Sequence, residues 1–278
     1  MREFTYQWVP KEYTNDGNEP ILKITKSSFG SYQWCPKKYE FSYIERLRQD
    51  QTEAMRKGTI VHNAREDFFN VFDIKKAENL SHNELVNYCV SLYPIDDYTE
   101  MYETMSIFEA NRFMQAKEEA TTDEFLPAAN EVLLDAEIEV SGYKIHLQGI
   151  IDRMFIENGA YIPMELKTGP WKDYKTTMMR KEMAFYKLLY ENCPDKILIK
   201  EGLQPNLPMS HWGWYYPASN YILVEPVKTR SETAVIKGIE KLIEAYEQGL
   251  FPAKYFYKTC ASCSFFNICD AANTESWL

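Results

Sequence analysis

The sequence has no long run of apolar residues, although 45% of its 278 residues are hydrophobic and 15% are aromatic. No stretch approaches the ~20 consecutive apolar residues that a helix needs to span a membrane. The N-terminal segment, MREFTYQWVPKEYTNDGNEP, also lacks the apolar centre of a secretion signal. We therefore expect an intracellular, cytoplasmic protein with a sizeable core and no membrane partner.

An excess of positive charge is also missing: 31 lysine and arginine residues face 41 aspartate and glutamate residues, which gives a net charge of −10. This balance excludes a nonspecific polycation and, taken alone, argues against nucleic-acid binding. It leaves room for a metal-dependent enzyme that acts on nucleic acid, because metal sites need acidic ligands and bound cations offset part of the charge.

Internal repeats, low-complexity tracts and linker-like segments are absent from the sequence, so we expect a single domain over residues 1–278. Its parts are an extension (1–24), a helical part (25–127), a sheet with a helix (128–230), and a C-terminal helix with a cysteine cluster (231–278). This order predicts an α/β fold in which helices flank a central mixed sheet.

Hydrophobic periodicity predicts the individual elements. Helical spacing covers 25–47 with a break at Cys35-Pro36, 52–72, 81–92, 98–125, 176–190 and 231–248. Alternation predicts strands over 131–140, 143–156, 160–168, 211–216 and 221–226. Ser27 or Ser28 is the expected N-cap of the first helix, and Ser231 that of the last, which Gly249 should end.

The dipeptide Asn158-Gly159 between two strands is the strongest short hairpin signal in the chain. A two-residue loop there pairs Glu157 with Ala160. Asp152 then lies opposite Glu165 in a non-hydrogen-bonded pair, with Cβ atoms ~4.5–5.5 Å apart. Lys167, two residues beyond Glu165, shares that face.

Two opposed carboxylates destabilise a sheet unless a positive charge sits between them, so this face is suited to a divalent cation beside a lysine. A merely solvated polar face is the alternative. Pro163 requires an edge strand, a bulge, or a missing N–H that points away from the Asp152 strand. The opposite face of the hairpin is expected to be core, with Ile151, Phe155, Ile162, Met164 and Leu166.

The second turn, Ser141-Gly142, places Glu131 opposite Asp152 if its loop also has two residues. Glu131 would then extend the acidic row across three strands. A single bulge would replace it by Glu137 or Glu139, and a solvated strand acid is the other interpretation. Such a row supports metal-assisted hydrolysis, in which Mg²⁺ or Mn²⁺ polarises a phosphoryl oxygen. A neighbouring lysine can orient or deprotonate water, or stabilise developing charge.

The motif G-I-I-D ends at Asp152, E-L-K-T-G begins at Glu165, and a helix carrying Tyr186 follows. This pattern resembles the PD-(D/E)XK nuclease superfamily in its RecB-like branch. The resemblance implies a restriction-endonuclease-like core and metal-dependent deoxyribonuclease activity. Within it, Asp152, Glu165 and the Leu166 carbonyl bind Mg²⁺ or Mn²⁺. Lys167 is the catalytic lysine, and Tyr186 is a further catalytic residue.

The family pattern also includes Gln-x-x-x-Tyr on this helix, but Glu182 stands at the glutamine position before Tyr186. Ile151 replaces the proline of the family's namesake dipeptide. Gly58 and His62 match a G-x-x-x-H element whose histidine reaches the metal, whereas a lone helical histidine is most often structural. A structural role is expected for the other histidines, His82, His146 and His211.

Three cysteines near the C-terminus, Cys260, Cys263 and Cys269, have the spacing of a metal-binding knuckle. Four thiolates close either a zinc site or a [4Fe–4S] cluster, and Cys35 at its helix break is the best candidate for the fourth. The one-plus-three arrangement resembles the iron–sulfur RecB-like nucleases, above all the CRISPR-associated Cas-four exonucleases. It implies a structural [4Fe–4S] cluster that joins the N-terminal helices to the C-terminal tail. Phe265, Phe266 and Ile268 would shield it, while Cys89 and Cys193 are expected to be ordinary thiols.

The resemblance implies DNA as the partner, single-stranded or with unpaired ends, in CRISPR adaptation or in DNA repair and recombination, with an integrase or helicase alongside. A DNA-end-binding subunit with a vestigial site and a structural zinc protein are the alternatives. Residues that follow the catalytic strand would either bind single strands or cover a packed core: Trp171, Lys172, Tyr174, Lys175, Arg180, Lys181 and Trp212–Pro217.

Overall fold

The computed structural model describes residues 21–256 and 260–273. These residues form a six-stranded mixed sheet with helices on both faces, as the sequence predicts. The strands are β1 (Ile21–Thr25), β2 (Ala129–Val140), β3 (Tyr143–Glu157), β4 (Ala160–Leu166), β5 (His211–Tyr216) and β6 (Tyr221–Pro226). Their order is β1-β3-β4-β5-β6, and β2 pairs with the other side of β3.

The helices are α1 (Lys26–Trp34), α2 (Pro36–Tyr39), α3 (Glu53–Val71), α4 (Ile74–Ala77), α5 (His82–Ser91), α6 (Thr99–Glu118), α7 (Thr176–Glu191), α8 (Asp195–Lys200), α9 (Thr229–Gln248) and α10 (Asp270–Asn273). A π-helical turn, Glu40–Ile44, continues α2. The core on one face of the sheet contains residues of α1, α7 and α9, and the core on the other contains residues of α3, α5 and α6. No helix in these ranges is both long and apolar enough to cross a bilayer.

The long strand β3 has two different neighbours on one of its sides. β1 runs parallel to it and pairs with Lys144–Gln148, whereas β4 runs antiparallel and pairs with Arg153–Glu157. The C-terminal ends of β1 and β4 therefore point towards each other across residues 149–152 of β3. Side chains that follow either strand meet in this gap.

The first strand corrects the predicted boundary of the N-terminal extension. Residues 21–24, assigned to the extension, belong to β1, because Leu22 and Ile24 are buried against the sheet. Five residues give too short an alternation to be recognised in the sequence. The N-cap of α1 is Thr25, which exchanges hydrogen bonds with Ser28 in a capping box, so the predicted cap is also wrong.

Other helix boundaries also differ from those predicted. α6 ends at Glu118 because Ala120 has a left-handed backbone (φ 56°), and a 3₁₀ turn follows. α9 begins at Thr229, before the predicted cap Ser231, and ends at the predicted Gly249 (φ 61°). α8 has only six residues and was not predicted.

Both predicted hairpin registers are confirmed. The turn residues Asn158 and Gly159 have positive φ angles of 52° and 72°, and Glu157 pairs with Ala160. The Ser141-Gly142 turn has the same handedness, and the strand pairing that follows it has the expected register. β4 lies between β3 and β5, and Pro163 takes its place opposite Met154. This is a non-hydrogen-bonded position, so its missing N–H is on the β5 side, the third of the predicted options.

The alternation of β3 changes phase at Asp152. Ile151 and Met154 pack in the same core, on the α7 side of the sheet, whereas strict alternation would separate them. The predicted grouping of Ile151 with Phe155 is therefore wrong. The physical reason lies on β2, where Glu131 adopts φ 47° between the pairs Asn130–Arg153 and Val132–Ile151. Glu131 is thus opposite Asp152, as predicted, but in a strained left-handed conformation.

Candidate active site

The gap between the ends of β1 and β4 brings three of the predicted metal ligands close together, and Glu165 is not in this group. Ligand atoms of His62, Glu131 and Asp152 all lie within 4.8 Å of one another. His62 comes from α3, and its Nε2 lies 3.1 Å from the Leu166 carbonyl oxygen. Its Nδ1 is 3.3 Å from Asp152 Oδ2, which accepts a hydrogen bond of 2.8 Å from the Leu166 N–H. The donors present, carboxylate, carbonyl and imidazole, are suited to a divalent cation.

The acids of this cluster are crowded. Burial raises the pKa of Asp152, and the charge of Glu165 raises it further. Burial, followed by the charge of Asp152, raises the pKa of Glu131 to about 7. Without a cation, repulsion between these carboxylates and their burial oppose ionisation of all of them. A bound divalent ion would offset the repulsion.

Glu165 is only 1% exposed, yet it stays ionised. Its Oε2 accepts a hydrogen bond of 2.8 Å from Lys167 Nζ and lies 3.6 Å from Lys26 Nζ. Burial alone would raise its pKa, but these two lysines outweigh burial and hold the pKa well below its usual range. The other oxygen, Oε1, is buried and has no hydrogen-bond partner among the described residues. An ionised carboxylate with a free buried oxygen fits the predicted role of metal ligand.

Lys167 bridges two glutamates, because its Nζ also lies 3.0 Å from Glu182 Oε1. Burial lowers the pKa of this lysine, but Glu165 and Glu182 outweigh it and raise the pKa well above its usual value. Lys167 is therefore a fixed cation. Of the roles considered for it, this favours stabilisation of negative charge over deprotonation of water.

A second lysine, which the sequence did not reveal, completes the site. Lys26 directly follows β1, and its Nζ donates a hydrogen bond of 2.6 Å to Glu182 Oε1. Two lysines thus share Glu165 and Glu182. Lys26 could have been identified only if β1 had been predicted. A residue that directly follows a strand lies at the edge of the sheet, where this site is.

Tyr186 supports the site from behind. Its side chain is fully buried on α7, and its hydroxyl donates a hydrogen bond of 2.6 Å to the Ile150 carbonyl. Its ring lies against Gly149, where an added Cβ would be 3.2 Å from Cε1. Tyr186 therefore fixes the segment of β3 that leads into Asp152.

The four predicted cluster cysteines, Cys35, Cys260, Cys263 and Cys269, line one small cavity of about 20 Å³. Cys35 is buried, and it accepts a hydrogen bond of 3.4 Å from the Lys254 N–H. Phe265 is buried beside it, but Ile268 is 55% exposed, so Ile268 does not provide the predicted shielding. Among the described residues, the group of closely spaced metal-ligand atoms is that of His62, Glu131 and Asp152, so a metal site at the four cysteines stays a prediction. The other two cysteines, Cys89 and Cys193, are buried elsewhere.

The aromatic segment of β5 belongs to the core. Trp212 and Trp214 are fully buried, so the packed-core interpretation applies to them and not the DNA-stacking one. Arg180 is held by Glu225 through hydrogen bonds of 2.5 and 2.6 Å. Tyr174, in contrast, is 76% exposed and remains available for contact with a ligand.

Comparison with known proteins gives one family match. Residues 23–270 match the PD-(D/E)XK nuclease superfamily. The crystal structure of SSO0001 is similar with 15% identity, 79% of this chain and 98% of that chain covered, and a TM-score of 0.37. The crystal structure of Scheffersomyces stipitis Rai1 is similar with 9% identity, 86% of this chain and 65% of that chain covered, and a TM-score of 0.29. No curated protein gives a match. The match to one family over nearly the whole chain shows that this protein belongs to the PD-(D/E)XK nuclease superfamily.

Proposed function

We propose that the protein is a deoxyribonuclease that requires Mg²⁺ or Mn²⁺ and acts as an exonuclease on single-stranded DNA or unpaired ends. The observation that carries this proposal is the gap between β1 and β4, where carboxylates and an imidazole converge beside two charged lysines. Phosphodiester hydrolysis needs such a combination of metal ligands and fixed positive charge.

Each residue of the gap has a role in this proposal. Asp152, Glu165 and the Leu166 carbonyl would hold the divalent ion, with His62 and Glu131 as further ligands. The ion, when bound, would supply Lewis-acid stabilisation of the phosphoryl group.

The two lysines would act as fixed positive charges. Lys167 lies next to Glu165, so its ammonium group would be close to a phosphate held at the metal ligands. Lys26 would share this function and keep Glu182 ionised. Because the pKa of each lysine is raised above its usual value, both retain their charge at neutral pH.

A groove of about 560 Å³ beside Lys26 and Glu182 supports a single-stranded substrate. It is lined by Trp34, Lys38 and Lys181. Lys38 Nζ lies 4.6 Å from the centre of the Trp34 ring. Aromatic rings interleaved with lysines bind single strands through stacking and phosphate contacts.

The cysteine cavity supports a [4Fe–4S] cluster as a structural cofactor, with zinc as the competing metal. A cluster held by Cys35 and the three C-terminal cysteines would tie both ends of the described chain together. The one-plus-three arrangement also supports a role in CRISPR adaptation or in DNA repair and recombination, with an integrase or helicase as partner, in a cytoplasmic setting.

The cleavage assay uses end-labelled single-stranded, blunt and overhang-bearing DNA with Mg²⁺, Mn²⁺ or EDTA. We expect cleavage that needs the metal, favours single strands and disappears in Glu165→Ala and Asp152→Asn. Glu137→Ala is the matched control, because Glu137 is an exposed acid further along the strand that carries Glu131. If the wild type binds DNA but cleaves none of these substrates, the enzyme proposal fails and the DNA-end-binding subunit becomes the better interpretation.

A further inference from the structure

A buried ion pair joins α3 to α6, about one helical turn from His62. Arg65 donates a hydrogen bond to one carboxylate oxygen of Glu109, and Arg112 donates one of 2.8 Å to the other oxygen. Arg65 is 4% exposed and Glu109 is fully buried. Burial raises the pKa of Glu109, but the charges of Arg112 and Arg65 outweigh burial and hold the pKa below its usual value. The Arg65–Glu109 pair is therefore an ionised contact inside the core.

This pair attaches α3 to the strands beside the proposed metal site. Arg65 follows His62 by three residues, so both side chains leave the same side of the helix. The Arg65 guanidinium lies 5.1 Å from the centre of the Tyr215 ring on β5. Tyr215 pairs with Leu166 of β4, whose carbonyl oxygen is 3.1 Å from His62 Nε2. A rotation of α3 that separated Arg65 from Glu109 would therefore also move His62 away from the Leu166 carbonyl.

Apolar packing fixes the rotation of α3 only weakly on this side. A cavity of about 350 Å³ lies between α6 and the sheet, and its lining includes Arg65, Glu109 and Arg153. Contact with α3 is incomplete where Arg65 forms the cavity wall. Apolar burial has no preferred direction, whereas a charge-assisted hydrogen bond does. A buried ion pair rarely adds stability over apolar residues of similar volume, so orientation is the better account of this one.

We propose that Arg65 and Glu109 are positioning residues, whose ion pair fixes the rotation of α3 and so holds His62 at the divalent metal ion. The inference rests on the proposed function, because it requires His62 to be a metal ligand. It goes beyond that function, since neither residue is a proposed ligand or part of the nuclease motif. Groups that orient a metal-binding histidine change metal affinity by about 10- to 100-fold when they are replaced.

Mn²⁺ binding without DNA tests the proposal on the full-length protein. It is measured by the electron paramagnetic resonance signal of free Mn²⁺ and by calorimetric titration. Arg65→Lys keeps the charge but loses the planar fork of donors, so we expect Mn²⁺ binding about tenfold weaker than in the wild type. Arg112→Lys is the matched control and should keep the wild-type affinity. It makes the same change at the same carboxylate, but Arg112 is on α6 with Glu109, so the link to α3 stays intact.

The His62→Ala background separates positioning from a general effect on the fold. If Arg65 acts through His62, Arg65→Lys should cause no further loss of Mn²⁺ affinity once the imidazole is absent. Wild-type affinity in Arg65→Lys, or a loss of the same size in both backgrounds, would overturn the proposal. Thermal unfolding in EDTA shows whether each variant is folded. Should Arg65→Lys fail to fold, Glu109→Asp takes its place in the same comparison, because it keeps the charge and shortens the side chain.

Metal binding and DNA cleavage give separate results. If the wild type binds Mn²⁺ and Arg65→Lys binds it equally well, only the positioning role is wrong. If Arg65→Lys weakens Mn²⁺ binding through His62 but the wild type cuts no DNA, only the proposed function is wrong. A wild type that binds no Mn²⁺ would contradict both, because His62 would then have no metal ion to bind.

Discussion

Lys26 and Glu182 form an ion pair of 2.6 Å that links the end of β1 to α7. Glu182 stands where the RecB-like pattern has a glutamine, so the site carries one more negative charge than that pattern. Lys26 supplies the matching positive charge, and Lys167 contacts the same carboxylate oxygen at 3.0 Å. The glutamate and the second lysine are therefore best understood as one unit.

Substitutions in this unit should be strongly coupled. We expect Glu182→Gln and Lys26→Met each to lower stability by about 1–3 kcal/mol, because each leaves a largely buried partner less well paired. The double variant should be more stable and more active than the sum of the single losses predicts, with a coupling of about 0.5–3 kcal/mol. Urea unfolding and cleavage rates of all four proteins measure it. Strict additivity would show that the two residues act separately.

The charge of Lys167 predicts the pH dependence of catalysis. Lys167→Met should slow cleavage by about 10²–10³, the loss expected when one fixed stabilising group is removed. Since the pKa of Lys167 is raised well above its usual value, no rise in rate between pH 6 and 9 should depend on this residue. Rate profiles of the wild type and Lys167→Arg test this. If the wild-type rate rises with pH in this range and the rate of Lys167→Arg does not, Lys167 acts as a base.

Glu131 predicts how the stability of the metal-free protein changes with pH. Its pKa rises from 4.5 to about 7 on folding, so its favourable contribution is present below pH 4.5 and is lost as the pH rises through 7. Glu131→Gln should therefore gain stability over the wild type as the pH is raised from 5 to 8. Urea unfolding in EDTA measures the gain, with Glu137→Gln as the control.

Added metal should reverse the effect of Glu131→Gln. Mn²⁺ is expected to stabilise the wild type more than the variant, because a metal ion binds the ionised carboxylate and only the folded state has the complete site. Equal stabilisation of both proteins would remove Glu131 from the ligand set and leave its strained backbone unexplained.

The cysteine cavity predicts iron in anaerobically purified protein. We expect four iron atoms and matching acid-labile sulfide per chain, with loss of both in Cys35→Ser and Cys263→Ser. Cys193→Ala, which changes a buried thiol outside the cavity, should keep the iron. Zinc without iron or sulfide in the wild type would assign the four thiolates to a zinc site.

Much of the site could be predicted from two turns. Asn158-Gly159 and Ser141-Gly142 both adopt the left-handed backbone that their residue types favour, and this set the pairing of three strands. The position of Glu131 opposite Asp152 followed from that pairing, but the group of close ligand atoms contains His62 and not Glu165. Local turn chemistry was sufficient because each hairpin joins strands that are consecutive in the chain.

Features that depend on distant contacts were missed. Lys26 reaches the site only because β1 pairs with β3, and a five-residue strand carries too little pattern to predict a parallel pairing. The phase change at Asp152 depends on the left-handed backbone of Glu131, which no propensity favours. Arg65 and Arg153 had nothing in their sequence context to indicate that they share a cavity.

The meeting of β1 and β4 over β3 has a consequence for synthesis of the protein. Of the described elements, β1 leaves the ribosome first, but the strand with which it pairs is made only after α1 to α6 and β2. A nascent chain therefore carries Lys26 long before Asp152, Glu165 and Lys167 exist to surround it. The centre closes only when α7 has been translated, so an unfinished chain has no assembled site with which to attack the nucleic acid around it.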